Sequence, residues 1–329
     1  MFFQPCPQEP IVLKRYFLGL LLLATCTVSA PAMAAWPDDQ SIELVVGFAP
    51  GGGTDLMARA MAPYMEKKLG GRARVVVVNK PGASGEISNT YLARAKPDGY
   101  TIGFINVPGF VFTPMYKKTA YQNDDLRIIA RVVDDPSVLM ARKDAKFGTL
   151  QEIVAALKKD PESLSFANSG RGTSGHLSLL KLQQVGQFKG SAIAYKGAGE
   201  FKSALMGGHV DYAFASVGEF LAANNESVRA IAVLSNKRFD VLGPVPTATE
   251  LGFSALISSE RGIAAPKALP DEIAQRLQQA IQATVEDPVF IAAVKNDSAV
   301  LAYLPGDQWT KSLGAIREML VPFVADMQD

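Results

Sequence analysis

The sequence feature that most constrains the fold is the junction at residues 44–56, which read LVVGFAPGGGTDL. The apolar residues before Gly47 favour a buried strand, and the residues after Gly53 begin an amphipathic helix. In an α/β unit, such a junction leaves backbone N–H groups unpaired at the helix N-terminus, beyond the carboxyl edge of the sheet. The positive end of the helix dipole lies at the same place, so the loop is suited to binding a small anion.

Glycine loops recur after other strand-like segments of the chain. The four loops span residues 50–55, 81–85, 169–175 and 196–199. In a single loop of this kind, the glycines can be explained by the steric requirements of a turn from strand to helix. Four loops at corresponding ends of two sheets predict a shared ligand cleft between two α/β domains.

The order of strand-like and helix-like segments predicts this two-domain organisation. Residues 42–105 read as strand-helix-strand-helix-strand, and residues 164–234 read as a second set of βαβ units. Two long extended segments, at residues 128–141 and 256–266, connect the two sets. The predicted boundaries are domain 1 at residues 35–135 plus 258–329, and domain 2 at residues 136–257.

Three further predictions concern single elements. An aromatic-rich stretch at residues 110–121 is expected to form a loop. Thr149 and Glu152 fit a capping box at the start of a helix. The last helix is expected over residues 307–327, where apolar residues recur at helical spacing.

The first 34 residues have the features of a secretory signal peptide. A basic pair at residues 14–15 precedes an apolar run at residues 16–24, and Ala-Met-Ala at 32–34 is a small-residue cleavage pattern. The apolar run is too short for a membrane-spanning helix. We predict cleavage after Ala34 and export of the mature chain.

Cysteine positions and charge limit the chemistry of the mature chain. Cys6 and Cys26 both precede the predicted cleavage site, so the mature protein has no thiol, disulfide or cysteine metal ligand. Acylation of Cys26 as a lipoprotein is the alternative to cleavage after Ala34. The chain has 33 basic and 32 acidic residues, and removal of the signal peptide leaves 31 of each. This balance, without basic tracts, indicates no nucleic acid partner and no anionic membrane surface.

Motifs for enzymes and cofactors are weak in this sequence. Residues 170–175 match the dinucleotide pattern G-x-G-x-x-G, but Tyr195 and Lys196 stand where an acidic ribose partner is expected. Ser178 and Lys181 match S-x-x-K without the K-T-G or S-D-N motif that accompanies it in penicillin-recognising enzymes. Two separated histidines without cysteine argue against zinc. We therefore predict no enzyme activity, no cofactor and no metal.

Several polar residues near the loops have a structural interpretation beside a ligand-binding one. Asp55 either complements the dipole of its own helix or contacts the ligand. His176 either donates to the ligand or caps its own turn. Asp211 either holds a cleft loop or binds a bridging water, and Lys196 either pairs with an anionic ligand or is solvated.

The motifs of the chain, taken in order, resemble those of one family. They are FxPGGGTD at 48–55, NKPGASG at 79–85, PDGYT at 97–101, GxGTxxHL at 170–177, YKG at 195–197, GxVD at 208–211 and VPT at 245–247. Over nearly the whole mature chain, this set resembles the receptors of tripartite tricarboxylate transporters, also called Bug receptors.

The resemblance implies a fold and a function. The fold is that of a type II-like periplasmic binding protein, with two doubly wound α/β domains, two crossover strands and a ligand cleft between the domains. The function is that of a monomeric periplasmic receptor, which delivers a small mono-, di- or tricarboxylate to the membrane permease subunits. In such receptors, loops matching residues 50–55 and 81–85 meet the ligand from one domain, and loops matching 169–176 and 195–197 meet it from the other.

The glycine loops and the resemblance together predict a ligand site without a catalytic residue. Its residues are Phe48, Pro50, Gly51, Gly52, Gly53, Thr54, Asp55, Ala83, Ser84, Gly85, Ser169, Gly170, Gly172, Thr173, Ser174, His176, Tyr195, Lys196 and Asp211. The chain departs from the family pattern in two places, which involve three residues. Glu260 and Arg261 stand where many members have an aromatic pair, and Glu86 stands where an Asn often follows the glycine loop. A second acid in the cleft would favour a ligand with a cationic group.

Two other functions are compatible with the same cleft. An exported hydrolase would need an activated Ser174 or Ser178, and the sequence positions no base for either. A sensory receptor would pass ligand occupancy to a signalling partner. The sequence leaves the ligand open among citrate, a C4-dicarboxylate, a longer diacid and an aromatic acid.

Overall fold

The computed structural model describes residues 1–4, 36–223, 226–295 and 298–327. The apolar run of the predicted signal peptide, its cleavage site and both cysteines lie outside the described residues. Among the residues that are described, no helix has the length and apolar character needed to cross a membrane.

Ten strands form one mixed sheet in the described part of the chain. Their bounds are β1 Ile42–Val46, β2 Val75–Asn79, β3 Thr101–Val107, β4 Leu126–Arg142, β5 Ser165–Asn168, β6 Ser191–Ala194, β7 Tyr212–Ser216, β8 Val228–Val233, β9 Ser258–Pro266 and β10 Leu301–Pro305. The strands lie in the order β2-β1-β3-β9-β4-β7-β5-β6, and β8 and β10 also pair with β4.

Helices connect and cover these strands. Within the described ranges the α-helices are α1 Gly53–Leu69, α2 Glu86–Ala93, α3 Gly109–Tyr116, α4 Leu150–Lys159, α5 Ser174–Gly186, α6 Ala198–Met206, α7 Val217–Leu221, α8 Asp271–Val285, α9 Pro288–Ala293 and α10 Gly306–Leu320. Helices α1, α5 and α6 each follow a glycine loop at the carboxyl end of a strand. These three junctions position the site described below.

Strands β1, β2 and β3 form the first parallel array. Strand β1 lies between β2 and β3 and runs parallel to both. Its residues Ile42, Leu44 and Val46 are fully buried, because α1 packs over this part of the sheet and against α8. All three side chains belong to one apolar cluster with Met61 of α1 and Leu277 of α8.

Strands β5, β6 and β7 form the second parallel array. Strand β5 lies between β6 and β7 and runs parallel to both. The rings of Phe166 and Tyr212 stack across β5 and β7 at a centroid distance of 5.3 Å. The carboxyl ends of β5 and β6 lead into the loops at 169–175 and 196–199.

The long strands β4 and β9 link the two arrays. They pair antiparallel from Leu126 opposite Pro266 to Pro136 opposite Ser258. Beyond Pro136, β4 continues and pairs antiparallel with β7 and β8. The two extended segments expected from the sequence are therefore paired neighbours. The domain boundary predicted at residues 135 and 136 falls inside β4, and the boundaries stay a prediction.

Three elements differ from the sequence-based expectation. The aromatic-rich stretch expected to be a loop contains helix α3, in which Phe110 and Phe112 are buried. Local propensity is poor there because of Pro114, but burial of the rings overrides it. Strand β10 was not predicted, since its antiparallel pairing with β4 is a tertiary contact. Helix α10 ends at Leu320, and short 3₁₀ turns follow it.

Candidate functional site

A cavity of about 270 Å³ lies at the carboxyl ends of both parallel arrays. Nine of the residues expected at the ligand site line it: Phe48, Pro50, Gly52, Gly53, Thr54, Ser84, Ser169, Thr173 and Ser174. The loops of the two arrays also approach each other, since a Cβ built on Gly170 would meet Ser84 Oγ. The structure thus brings the loops together, and their contact with a ligand stays a prediction.

Three helices begin at this cavity. The N-cap residues are Gly52 for α1, Thr173 for α5 and Gly197 for α6, and all three line the cavity. In the described structure, none of these N-caps makes a side-chain capping hydrogen bond. First-turn N–H groups at an uncapped helix end need another acceptor, and an anion in the cavity can supply it.

Asp55 holds the first loop in place instead of lining the cavity. Its carboxylate accepts hydrogen bonds from the Gly51 backbone at 2.9 Å, from Arg59 at 3.0 Å and from the Asn79 amide at 2.9 Å. Burial acts to raise the pKa of Asp55, but these hydrogen bonds outweigh burial and lower the pKa. The carboxylate therefore fastens the loop at 50–55 to the end of β2.

The loop at 81–85 has an unusual backbone. Positive φ angles occur at Gly82, Ala83, Ser84 and Gly85, with values of 135°, 47°, 55° and 95°. Only Ser84 of this group lines the cavity. The conformation turns the Ser84 hydroxyl towards Gly170 of the opposite loop.

His176 belongs to the internal structure of its loop. Its Nδ1 accepts a hydrogen bond from the Gly172 backbone at 3.3 Å, and 7% of the residue is exposed. Burial, with a smaller contribution from the positive charge of Arg171, lowers the pKa of His176 to about 4. The imidazole is therefore neutral near pH 7 and caps its own turn. Gly172, with φ of 76°, packs against Phe112.

Asp211 lies at the far end of the sheet, which corrects the expectation that it serves the cleft. Its carboxylate accepts hydrogen bonds from the backbone and the hydroxyl of Ser165, at 2.8 and 2.7 Å. Ser165 begins β5, whereas the glycine loop follows the last residue of β5. Tyr195 and Lys196 also stay outside the lining, although Gly197 in the same turn is part of it.

The cavity contains a buried ion pair that the motifs did not predict. Arg261 on β9 lines the cavity, is 2% exposed, and donates through Nη2 to the fully buried carboxylate of Asp135 on β4. Asp135 also accepts from the Gly218 backbone at 3.1 Å. Burial raises the pKa of Asp135 to about 6, although the charge of Arg261 opposes this rise.

The other departures from the family pattern point away from the cavity. Glu260 accepts from Trp309 Nε1 and lies 3.3 Å from Arg131 on the other face of β9. Glu86 forms an ion pair with Lys117 at 2.6 Å. Side chains alternate along a strand, so Glu260 and Arg261 point to opposite faces of β9, and of the two only Arg261 lines the cavity.

The remaining lining residues are not among the predicted site residues, although Gly197, Ala198 and Gly199 belong to the glycine loop at 196–199 that was expected at the cleft. They are Ala49, Asn106, Val107, Gly109, Ala198, Gly199, Glu200, Glu219 and Ser259, together with Gly197 and Arg261. Asn106 donates to Thr54 Oγ1 at 2.8 Å, which orients the start of α1. Among the described residues, no group of three or more His, Cys, Asp or Glu side chains could hold a metal ion.

A mixed α/β sheet of this kind is the architecture of periplasmic solute-binding proteins, and solved members of that class are similar to it. The sequence matches the "Tripartite tricarboxylate transporter family receptor" family over residues 57–315, and the chain belongs to this family. Both the resemblance inferred from the motifs and the predicted class of fold are thereby confirmed.

Three similar proteins illustrate the relationship. Protein BugT of Bordetella pertussis (strain Tohama I) is 30% identical over 296 residues, which cover 88% of this chain and 89% of BugT. The structure of the periplasmic binding protein BugD has a TM-score of 0.78 and 30% identity, and covers 86% of this chain and 97% of BugD. MatC from Rhodopseudomonas palustris, solved with bound malate, has a TM-score of 0.74 and 25% identity, with coverage of 88% and 98%.

Proposed function

We propose that this protein is a periplasmic receptor that binds a small carboxylate in the cavity and delivers it to the permease of a tripartite transporter. The observation that carries the proposal is the convergence of three uncapped helix N-termini on one cavity. A carboxylate is an acceptor on both oxygens and matches such a set of donors. The malate bound to the similar protein MatC is a small carboxylate as well.

The expected strength of these contacts fits a receptor. The interaction of a negative charge with a helix N-terminus is favourable by about 0.3–1 kcal/mol of free energy when exposed and up to about 2 kcal/mol when partly buried. Three such termini and the hydroxyls of Ser84 and Ser174 together approach the roughly 8 kcal/mol of a micromolar complex, whereas the Thr173 hydroxyl already donates to the Gly170 carbonyl at 2.7 Å. The cavity therefore needs no metal or covalent bond to hold its ligand.

Ligand capture works by closure in this proposal. The carboxylate bridges donors of both arrays, which are linked by β4 and β9. It contacts α1 on one side and α5 and α6 on the other, and these contacts exist together only when the cavity is closed. The ligand thus stabilises the closed form, because it makes more contacts in the closed form than in the open form.

The remaining parts of the proposal rest on the predicted signal peptide and on membership of the family. The signal peptide is cleaved after Ala34, and the mature chain works in the periplasm as a monomer of two domains. It passes the carboxylate to the membrane permease subunits and catalyses no reaction. The hydrolase alternative has little support, since Ser178 Oγ donates to the Ser174 carbonyl at 2.8 Å inside its own helix.

A thermal-shift screen of the mature chain against a carboxylate panel tests this function. A ligand at 100 times its Kd adds about 2.7 kcal/mol to the unfolding free energy, so we expect a clear rise in Tm with one or more carboxylates. Turnover of ester or amide substrates by the same sample would support the hydrolase instead. A panel without any shift, confirmed by calorimetry, would overturn the receptor proposal.

A further inference from the structure

The buried ion pair of Arg261 and Asp135 is the feature of the cavity that the glycine loops do not explain. The two residues lie on the paired strands β9 and β4, where Arg261 is opposite Val133 and Asp135 is opposite Ser259. Both are almost completely removed from solvent, with exposures of 2% and 0%. A buried pair is weak evidence for stability, because desolvation offsets the attraction between the charges.

The guanidinium of Arg261 is fixed beside the N-terminus of α1. Nη2 donates to Asp135, and a Cβ on Gly53, the first residue of α1, would collide with Nη1. The absence of a side chain at Gly53 leaves the space that Nη1 occupies. Nε is buried and has no hydrogen-bond acceptor within the described residues. Arg261 thus uses part of its donor capacity on Asp135 and keeps the rest close to the cavity.

The two carboxylates of the cavity lining are engaged with their own helix starts. The Glu219 carboxylate accepts from the Ser216 backbone at 3.1 Å in a capping box. The Glu200 carboxylate accepts from the Lys196 backbone at 3.0 Å in the first turn of α6. Both acids lie where helix dipoles favour negative charge, so neither requires a cationic ligand group.

We propose that Arg261 is a specificity-determining residue that binds a second acidic group of the ligand, and that Asp135 is the residue that positions its guanidinium. This inference rests on the proposed function, in which the first carboxylate binds at the helix N-termini. The planar guanidinium recognises a carboxylate through parallel N–H donors, which a helix end alone does not offer. The cavity therefore selects diacids over monoacids of the same chain length.

The test compares three sets of probes by calorimetry on the mature chain. The probes are linear diacids of four to six carbons, the monoacids of equal length, and the ω-amino acids of equal length. Wild-type protein should bind at least one diacid tenfold or more tightly than the matching monoacid. The ω-amino acid replaces the second carboxylate by an ammonium group and should bind more weakly than the diacid.

The variant that removes the pair is the double substitution Asp135→Asn and Arg261→Met. It leaves no unpaired charge, and the Asn oxygen can still accept from the Gly218 backbone. We expect the diacid affinity to fall at least tenfold, whereas the monoacid affinity changes less than threefold. Arg261→Lys keeps the charge but loses the planar geometry, and should reduce the diacid preference while leaving the fold intact.

The matched control removes an ion pair outside the cavity. Asp271→Asn with Arg127→Met makes the same change at a surface pair, where Arg127 Nη1 and Asp271 lie 2.6 Å apart. Both affinities should stay within threefold of wild type. Circular dichroism of each variant confirms folding before titration.

The outcomes separate this inference from the proposed function. A diacid preference that survives both Arg261 variants would overturn the role of Arg261 but leave the receptor intact. Equal binding of diacid and monoacid by wild type, or tighter binding of the ω-amino acid, would overturn it as well. Failure of every carboxylate to bind wild type would overturn the receptor proposal itself.

Discussion

At the scale of single residues, the polar side chains near the cavity divide into two groups. Asp55 and His176 are buried and bind backbone N–H groups of their own loops. Ser84 and Ser174 line the cavity. The two groups have similar positions in the sequence, because both lie within a glycine loop or one turn after it. Only the direction of each side chain distinguishes a residue that holds a loop from one that faces a ligand.

His176 gives a prediction about pH. Its pKa in the folded protein is about 4, and the reference value is 6.5. The folded state therefore binds fewer protons between these pH values, so the unfolding free energy falls as the pH drops through this range, by about 1.4 kcal/mol per unit at most. His176→Gln keeps an acceptor for Gly172 and does not titrate. Between pH 7 and 4.5, the variant should lose roughly 2 kcal/mol less than wild type.

Urea denaturation at the two pH values measures this difference. His209→Gln, at an exposed position, is the control and should follow wild type. Equal pH sensitivity of wild type and His176→Gln would show that His176 is not the neutral, buried group described above.

The sequence predicted the position of the glycine loops, but it did not predict that Arg261 lines the cavity. Glycine, proline and hydroxyl residues after an apolar run identify a strand-to-helix junction locally. Arg261 enters the cavity because β9 pairs with β3 and β4, and these pairings involve residues more than 100 positions away. No local pattern contains that information.

At the scale of elements, helix starts were well predicted because their signals are local. The capping box expected at Thr149 and Glu152 is present at the start of α4. The Glu152 backbone donates to Thr149 Oγ1 at 3.2 Å, and the Thr149 backbone donates to Glu152 Oε2 at 3.0 Å. Helix α3 had no such signal, and its buried aromatic face became visible only in the tertiary structure.

The capping box predicts a modest stability effect. Thr149→Ala removes the hydroxyl acceptor and should lower the unfolding free energy by about 1 kcal/mol. Thr149→Ser keeps the acceptor and should stay close to wild type. Both variants lie outside the cavity lining, so calorimetric affinity for a carboxylate should not change. An unaltered urea midpoint for Thr149→Ala would mean that the box does not stabilise α4.

At the scale of the whole molecule, the parallel arrays were predictable and the mixed sheet was not. Each array consists of βαβ units with short loops, which the order of apolar segments already indicates. The antiparallel pairing of β4 with β9, β7, β8 and β10 joins distant parts of the chain. This arrangement places the loops of both arrays around one cavity.

The central claim is that main-chain donors at the helix starts bind the ligand, and Gly52→Val tests it most directly. Gly52 is the N-cap of α1, lines the cavity and has a φ of −79°, which valine can adopt. Valine should therefore place its side chain near the ligand and lower the unfolding free energy by about 1 kcal/mol. Gly314→Val, in open space on α10, is the matched control. By calorimetry with the carboxylate that gives the largest thermal shift, we predict one site per chain in wild type and Gly314→Val, and at least tenfold weaker binding in Gly52→Val. Unchanged affinity in Gly52→Val would contradict the account.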